Sequence, residues 1–173
     1  ATMLLCLDAT VDVRSATSTR TIALTEFFVA DGIHNTVLAA SDLLVRVRVP
    51  KARAKRREGY AKLRHRSSID FPLLSVAARF DVDANDAIEN ARLVVSALQA
   101  KPHSVKLDAF KGRTLDANVV DEIAALAHKQ CSPMTNIADD PAWRKEMVPV
   151  FVKRAIADAM RTTPSTTTAP HAS

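Results

Sequence analysis

The stretch "FPLLSVAARFDVDANDAIENARLVVSAL", residues 71–98, constrains the fold most. Leu74, Val76, Ala78, Phe80 and Val82 recur at every second position, the period of a strand that buries one face. "DANDA" interrupts the run with turn-forming residues, and "IENARLVVSAL" (88–98) reads as a second strand. Two such strands around a short polar turn make an antiparallel hairpin over 73–98. A hairpin with one apolar face needs a second layer to cover it.

The residues after Pro102 supply that layer, because the hydrophobic period there changes from two to between three and four. "HSVKLDAFKG" reads as a short helix closed by Gly112. In "DANVVDEIAALAHK" (116–129), Val119, Val120, Ile123 and Leu126 lie on one stripe. "DDPAWRKEMVPVFVKRAIADAM" (139–160) opens with an aspartate cap and Pro141 in the first turn, and its stripe is Met147, Val148, Phe151, Val152, Ala155 and Ile156. Pro149 falls inside this helix and is expected to kink it. Asp139 and Asp140 read as a cap, not as a catalytic carboxylate pair. The last segment, "RTTPSTTTAPHAS" (161–173), is polar and rich in Pro, Ser and Thr, the composition of a disordered tail.

Upstream of the hairpin, "ATVDVRSATSTRTIAL" (9–24) predicts another hairpin, and "TEFFVADGIHN" (25–35) a helical turn followed by a loop in which Gly32 is available for a positive φ. "SDLLVRVRVP" (41–50) alternates Val45, Val47 and Val49 against Arg46 and Arg48 and stops at Pro50. The order is strands, a basic stretch, a hairpin and three helices, which is an α+β organisation with a boundary near 50–58.

Charge is localised. The net charge is +5, and residues 51–66, "KARAKRREGYAKLRHR", hold eight Lys or Arg against one Glu. The run admits three readings: a solvated connector, a nucleic-acid arm, or one wall of a cofactor pocket. Its single aromatic, Tyr60, and the lack of a recognised binding module beside it disfavour the arm, so composition alone favours the connector. Cys6 and Cys131 are far apart and form no CxxC. They cannot by themselves hold a structural zinc or an iron–sulfur cluster, and read as reduced thiols. The five histidines show no metal-ligand spacing. Only Gly32, Gly59 and Gly112 occur, and they form no phosphate-cradling cluster. No apolar run reaches the ~20 residues of a membrane span, and no signal peptide opens the chain, so a cytoplasmic location is expected. The chain begins at Ala and reads as a fragment.

Several separated motifs carry a resemblance. "GYAKLRHRSSIDFPLLSVAARF" (59–80), with its Tyr-x-Lys-x-Arg run followed by Asp-Phe-Pro, resembles the start of the C-terminal domain of the flavoprotein (medium) subunit of molybdenum hydroxylases, the carbon monoxide dehydrogenase and xanthine dehydrogenase superfamily. "EFFVADGIHNTVLAASDLLVRVRVP" (26–50) resembles the last part of that subunit's FAD-binding domain, and "RTLDANVVDEIAALAHKQCSPMTNIADDPAWRKEMVPVFVKRAI" (113–156) the family's closing helices. Within the family the sequence looks most like the 4-hydroxybenzoyl-CoA reductase β-subunit type.

The resemblance implies a division into residues 1–50, the β-rich C-terminal part of an FAD-binding domain, and 51–160, a small domain of antiparallel strands packed with three helices, before the tail at 161–173. It implies an FAD-binding, electron-transferring oxidoreductase subunit. Its partners would be a small subunit with [2Fe–2S] clusters and a large subunit with the molybdopterin cofactor, in a heterotrimer or its dimer. Lys62 matches the family lysine beside the isoalloxazine ring, Tyr60 an aromatic position near that ring, and Leu44 an apolar residue that packs against it. The basic run is then a pocket wall. The family's Gly-rich pyrophosphate segments, and the insertion that carries a [4Fe–4S] cluster in the benzoyl-CoA reductase type, have no counterpart here. Pro149 is unusual for the last helix, and Ser96–Ala97 lacks the glycines common in relatives. The competing reading is a non-catalytic module that docks partner subunits and binds no flavin. A nucleic-acid-binding protein comes third.

Overall fold

The structure, a computed structural model, describes residues 1–52, 55–67, 69–135 and 139–161. The tail expected at 161–173 lies, from residue 162 on, outside the described residues.

A short helix α1 (Thr2–Cys6) leads into the hairpin β1 (Thr10–Arg14) and β2 (Thr19–Ala23), then α2 (Leu24–Phe27) and β3 (Leu43–Arg48). These strands form an antiparallel sheet in the order β2-β1-β3. The expected hairpin and strand are therefore present, while α1 falls in residues to which the sequence reading assigned no element. No left-handed turn forms at Gly32, since Gly112 alone among the glycines has a positive φ. The loop is turned instead by Asp31, whose Oδ1 accepts the amides of Ile33 and His34 at 2.7 and 3.0 Å.

A second antiparallel sheet has the order β4-β5-β6-β7, built from β4 (Arg56–Leu63), β5 (Leu74–Val82), β6 (Ile88–Ser96) and β7 (His103–Val105). The hairpin read over 73–98 is its centre. Two expectations are corrected here. The basic run is no connector, because Arg56–Leu63 pairs with β5 along its whole length. Its strand pattern is masked in the sequence because the residues on its helix-facing side are small: Gly59 and Ala61 precede Leu63, and the other side carries charge. "HSVKLDAFKG" is likewise not one helix. It opens as β7, whose His103 and Ser104 pair with Val95 and Val94 of β6, and only Asp108–Phe110 makes a single 3₁₀ turn. Gly112 then takes φ 81°.

Helices α3 (Ala117–Gln130) and α4 (Pro141–Arg161) pack together, α4 against β4 and β5. Asp116 caps α3 by accepting the amide of Val119 at 2.8 Å, and Asp140 accepts the amide of Ala142 at 2.8 Å. α4 continues through Pro149.

All nine residues of β5 are buried, because it has a layer on each side. Leu74, Val76, Ala78, Phe80 and Val82 join Ile123, Val148, Val152 and Ile156 in the larger core. From the opposite face Ala77, with Val94 of β6, enters a smaller core with Leu5, Cys6, Val11 and Val13. Beside it lies a charged layer. The buried Arg79 donates to Asp8 at 2.6 Å, and Asp81 pairs with Arg56 at 2.7 Å. Arg92 also reaches Asp8 at 2.6 Å. α1 and the turn after it are thus held on the sheet by apolar burial and by ion pairs.

One backbone feature bears on the glycines missing near Ser96. Ala97 is left-handed, with φ 69°, a region in which a Cβ costs energy. Its carbonyl accepts from Arg144, a fully buried residue of α4 that also donates to Leu73 O at 3.2 Å and Met134 O at 3.4 Å. One guanidinium therefore joins three separated chain segments.

Candidate functional site

In the antiparallel pairing of β4 and β5, Gly59, Ala61 and Leu63 face α4 with Ala78, Val76 and Leu74, so Tyr60 and Lys62 share the other face with Ala77 and Ser75. Gly59 determines how closely the helix approaches. A Cβ there would stand 2.0 Å from Ala155 O and 2.4 Å from Ala159 N. The residue thus lets α4 lie on the strand, and α4 in turn holds Tyr60, since Asp158 Oδ2 accepts the Tyr60 amide at 3.1 Å. That amide, and then Arg161, keep the Asp158 carboxyl below the usual carboxylate range.

Tyr60 is 41% exposed. Its hydroxyl donates to Ser75 Oγ at 3.1 Å, which fixes the ring while leaving it accessible. Lys62 donates from Nζ to the Asp70 carbonyl at 2.6 Å. An ammonium has three donors, so this bond orients the group without exhausting it. The open edge of β4 at Tyr60, Ala61 and Lys62 borders a cleft of about 320 Å³ with Phe151, Arg154, Asp158 and Arg161 of α4, while the Tyr60 ring and the Lys62 ammonium lie on the strand face turned away from α4. The Arg154 guanidinium lies 4.7 Å from the centre of the Phe151 ring. The α4 side of the cleft carries the cations Arg154 and Arg161 and the carboxylate Asp158, which already accepts from the Tyr60 amide and Arg161. It suits an anionic or electron-rich acceptor beside an aromatic ring.

The structure brings Tyr60 and Lys62 together but leaves Leu44 apart. Leu44 is on β3 of the other sheet, opposite Val13 and next to a register shift. It is 39% exposed, and Leu43, Val45 and Val47 beside it are exposed too. Sequence reasoning gave no role to the α4 residues that line the cleft, whose stripe reads only as core. It quoted Asp70 within Asp-Phe-Pro without seeing that it meets Lys62.

Two further cations of the basic run are held in ion pairs. Arg56 pairs with Asp81 at 2.7 Å and Arg57 with Asp86 at 2.7 Å. His65 meets Asp139 at 2.9 Å and His128 meets Glu146 at 3.0 Å. Among the described residues no group of His, Cys, Asp or Glu is placed to hold a metal ion, and no helix is long and apolar enough to cross a membrane. Both cysteines are free and buried.

Two antiparallel sheets with helices packed on them give an α+β architecture. The chain matches the CO dehydrogenase flavoprotein C-terminal domain over residues 59–159, and the FAD binding domain in molybdopterin dehydrogenase over residues 1–52. It belongs to the CO dehydrogenase flavoprotein family, the medium subunit of molybdenum hydroxylases. It is similar to the glyceraldehyde dehydrogenase medium chain of Sulfolobus acidocaldarius, with 26% identity over 159 residues, 90% of this chain and 54% of that one. Its fold is shared with carbon monoxide dehydrogenase from Hydrogenophaga pseudoflava, at TM-score 0.82 and 20% identity, covering 92% of this chain and 55% of the other. Quinoline 2-oxidoreductase from Pseudomonas putida 86 superimposes at TM-score 0.78 and 22% identity, covering 91% and 55%. The chain therefore spans about half the length of these relatives.

Proposed function

We propose that these residues form the isoalloxazine-side wall of an FAD site in an electron-transfer subunit. One observation carries the reading: β4 places an accessible aromatic ring, Tyr60, and an oriented ammonium, Lys62, on the same strand face. The ring end of FAD fits this donor set. The pyrophosphate end does not, because the three glycines build no cradle: Gly59 is pressed against α4, Gly112 closes a turn, and Gly32 stands in open space. The phosphate contacts are therefore assigned to the part of the flavin fold that lies in the other half of the relatives' length. When bound, FAD supplies the capacity to take up and release electrons. Lys62 would stabilise negative charge on the reduced flavin ring by about 1.5–3 kcal/mol through a charge-assisted hydrogen bond. Tyr60 would exclude water from the ring.

In this reading residues 1–50 and 51–160 remain the two functional parts. The partners would be a small subunit with [2Fe–2S] clusters and a large subunit with the molybdopterin cofactor, in a cytoplasmic assembly, and FAD held here would supply the capacity to exchange electrons with them. The finer likeness to the 4-hydroxybenzoyl-CoA reductase β subunit rests on sequence resemblance alone, and the substrate is chosen in the large subunit.

Lys62→Met in the FAD-loaded assembly tests the reading. The variant keeps the length and apolar stem of the side chain. The two-electron midpoint is expected to fall by roughly 30–65 mV, which corresponds to about 1.5–3 kcal/mol. Lys51→Met, at the exposed start of the basic run, is the control. An unchanged midpoint in Lys62→Met, or equal shifts from both variants, overturns the role given to Lys62.

A further inference from the structure

We propose that Asp70 is the positioning residue for Lys62: it folds the segment between β4 and β5 so that its own carbonyl receives the ammonium. The inference rests on Lys62 being the flavin-side cation and adds the device that aims it.

Lys62 Nζ is 2.6 Å from Asp70 O. A backbone carbonyl is where the chain path puts it, so the question is what sets that path. Asp70 does so with its own side chain. Its Oδ2 accepts the amides of His65 at 3.1 Å and Arg66 at 3.2 Å, the local closure that aspartate makes in turns. Just outside, the Leu73 amide returns to Leu63 O at 2.9 Å as the ladder begins. The Asp70 side chain is mostly buried, unlike its neighbours Ile69 and Phe71, which are 95% and 90% exposed. No apolar packing of those two side chains holds this stretch, so the carboxylate is left to do it. Its titration agrees: burial alone would raise the Asp70 carboxyl, but the Arg66 and His65 amides, with the Arg66 charge, hold it below the usual range. Asp70 thus closes the turn with its side chain and accepts one Lys62 N–H with its main-chain carbonyl, leaving the other two donors for a ligand.

This order of dependence is testable without flavin. In the 173-residue chain, acylation of each lysine by an activated ester is followed by mass spectrometry. In Asp70→Ala, Lys62 is expected to be acylated roughly 10- to 150-fold faster than in wild type, the range that one charge-assisted hydrogen bond corresponds to, with Lys55 and Lys111 unchanged as internal controls for global unfolding. Asp70→Asn keeps an acceptor for the two amides and is expected to retain the wild-type rate, which separates geometry from charge. If Asp70→Ala fails to fold, Asp70→Glu, which displaces the carboxylate by one methylene, is expected to accelerate Lys62 in the same way. In Lys62→Met the amides of His65 and Arg66 are expected to keep their slow hydrogen exchange, because the turn does not depend on the lysine. A wild-type Lys62 rate in both Asp70→Ala and Asp70→Glu overturns the proposal, as does loss of the turn in Lys62→Met. In the FAD-loaded assembly, Asp70→Ala is expected to move the flavin midpoint in the direction of Lys62→Met and to add nothing to it in the double variant. If the acylation result holds while neither variant moves the midpoint, the positioning stands and the flavin-side assignment of Lys62 falls.

Discussion

Gly59 lies directly beneath Ala155: the helix backbone approaches the strand so closely that the carbonyl of Ala155 occupies the place of a β-carbon, 2.0 Å from an ideal Cβ. Neither partner is a flexible side-chain end, so relief requires moving α4 or β4. Gly59→Ala is expected to destabilise the fold by about 3 kcal/mol, the upper range for overpacking a filled core, and to disturb Tyr60 and Lys62 beside it. Gly32→Ala meets nothing within 4 Å and is expected to stay within about 0.5 kcal/mol of wild type. Urea unfolding of both variants checks this.

Arg144 is buried without a carboxylate hydrogen-bonded to it and is held by the carbonyls of Leu73, Ala97 and Met134. Burial lowers its pKa from the ordinary arginine value. Arg144→Met leaves three inward carbonyls without their donor and is expected to cost on the order of 3 kcal/mol. Arg144→Lys is expected to rescue little, because a point-like ammonium cannot span three acceptors. Chemical denaturation measures both.

Ala97→Gly acts on the same junction with the opposite sign. The left-handed φ of 69° costs an alanine more than a glycine. After the larger chain entropy of unfolded glycine is subtracted, a net gain of about 0.5 kcal/mol is expected. A lower urea midpoint than wild type would show that the alanine methyl contributes more by packing than it costs in backbone strain.

Cys6 and Cys131 are expected to resist iodoacetamide in the folded chain at pH 8. Burial pushes the Cys6 thiol up to about 12 and Cys131 to about 11, and the reactive species is the thiolate. Both are expected to label fully in denaturant, read by intact mass.

Stability is expected to fall as pH drops below about 4, the ordinary range of carboxylates. Asp12 accepts from Arg48 and Thr21, and those bonds, the Arg48 one foremost, lower its pKa. A depressed folded pKa means stability fully present above the unfolded value and lost as pH falls through the folded one. Asp31, Asp42, Asp158 and Glu122 act in the same sense. Asp12→Asn is expected to flatten the pH dependence of the urea midpoint between about pH 2 and 5, and an unchanged slope would remove Asp12 from this account.

The sequence by itself determined the central hairpin, both long helices and the aspartate cap of α4, because these depend on local period and on a residue, Asp140, that bonds its own neighbourhood. It pointed to Lys62 and Tyr60 through motif resemblance. Tertiary structure decided the rest. β4 was hidden because an edge strand pressed on a helix carries Gly and Ala where a pattern reading expects large apolar residues. β7 was hidden because three residues are too few to establish a period. The charges of Arg56 and Arg57 read as a basic patch until long-range pairing supplied Asp81 and Asp86. The cleft itself joins residues about ninety positions apart, Tyr60 and Lys62 with Arg154 and Asp158. No local pattern encodes that juxtaposition, because it arises only when Gly59 lets α4 settle on the strand.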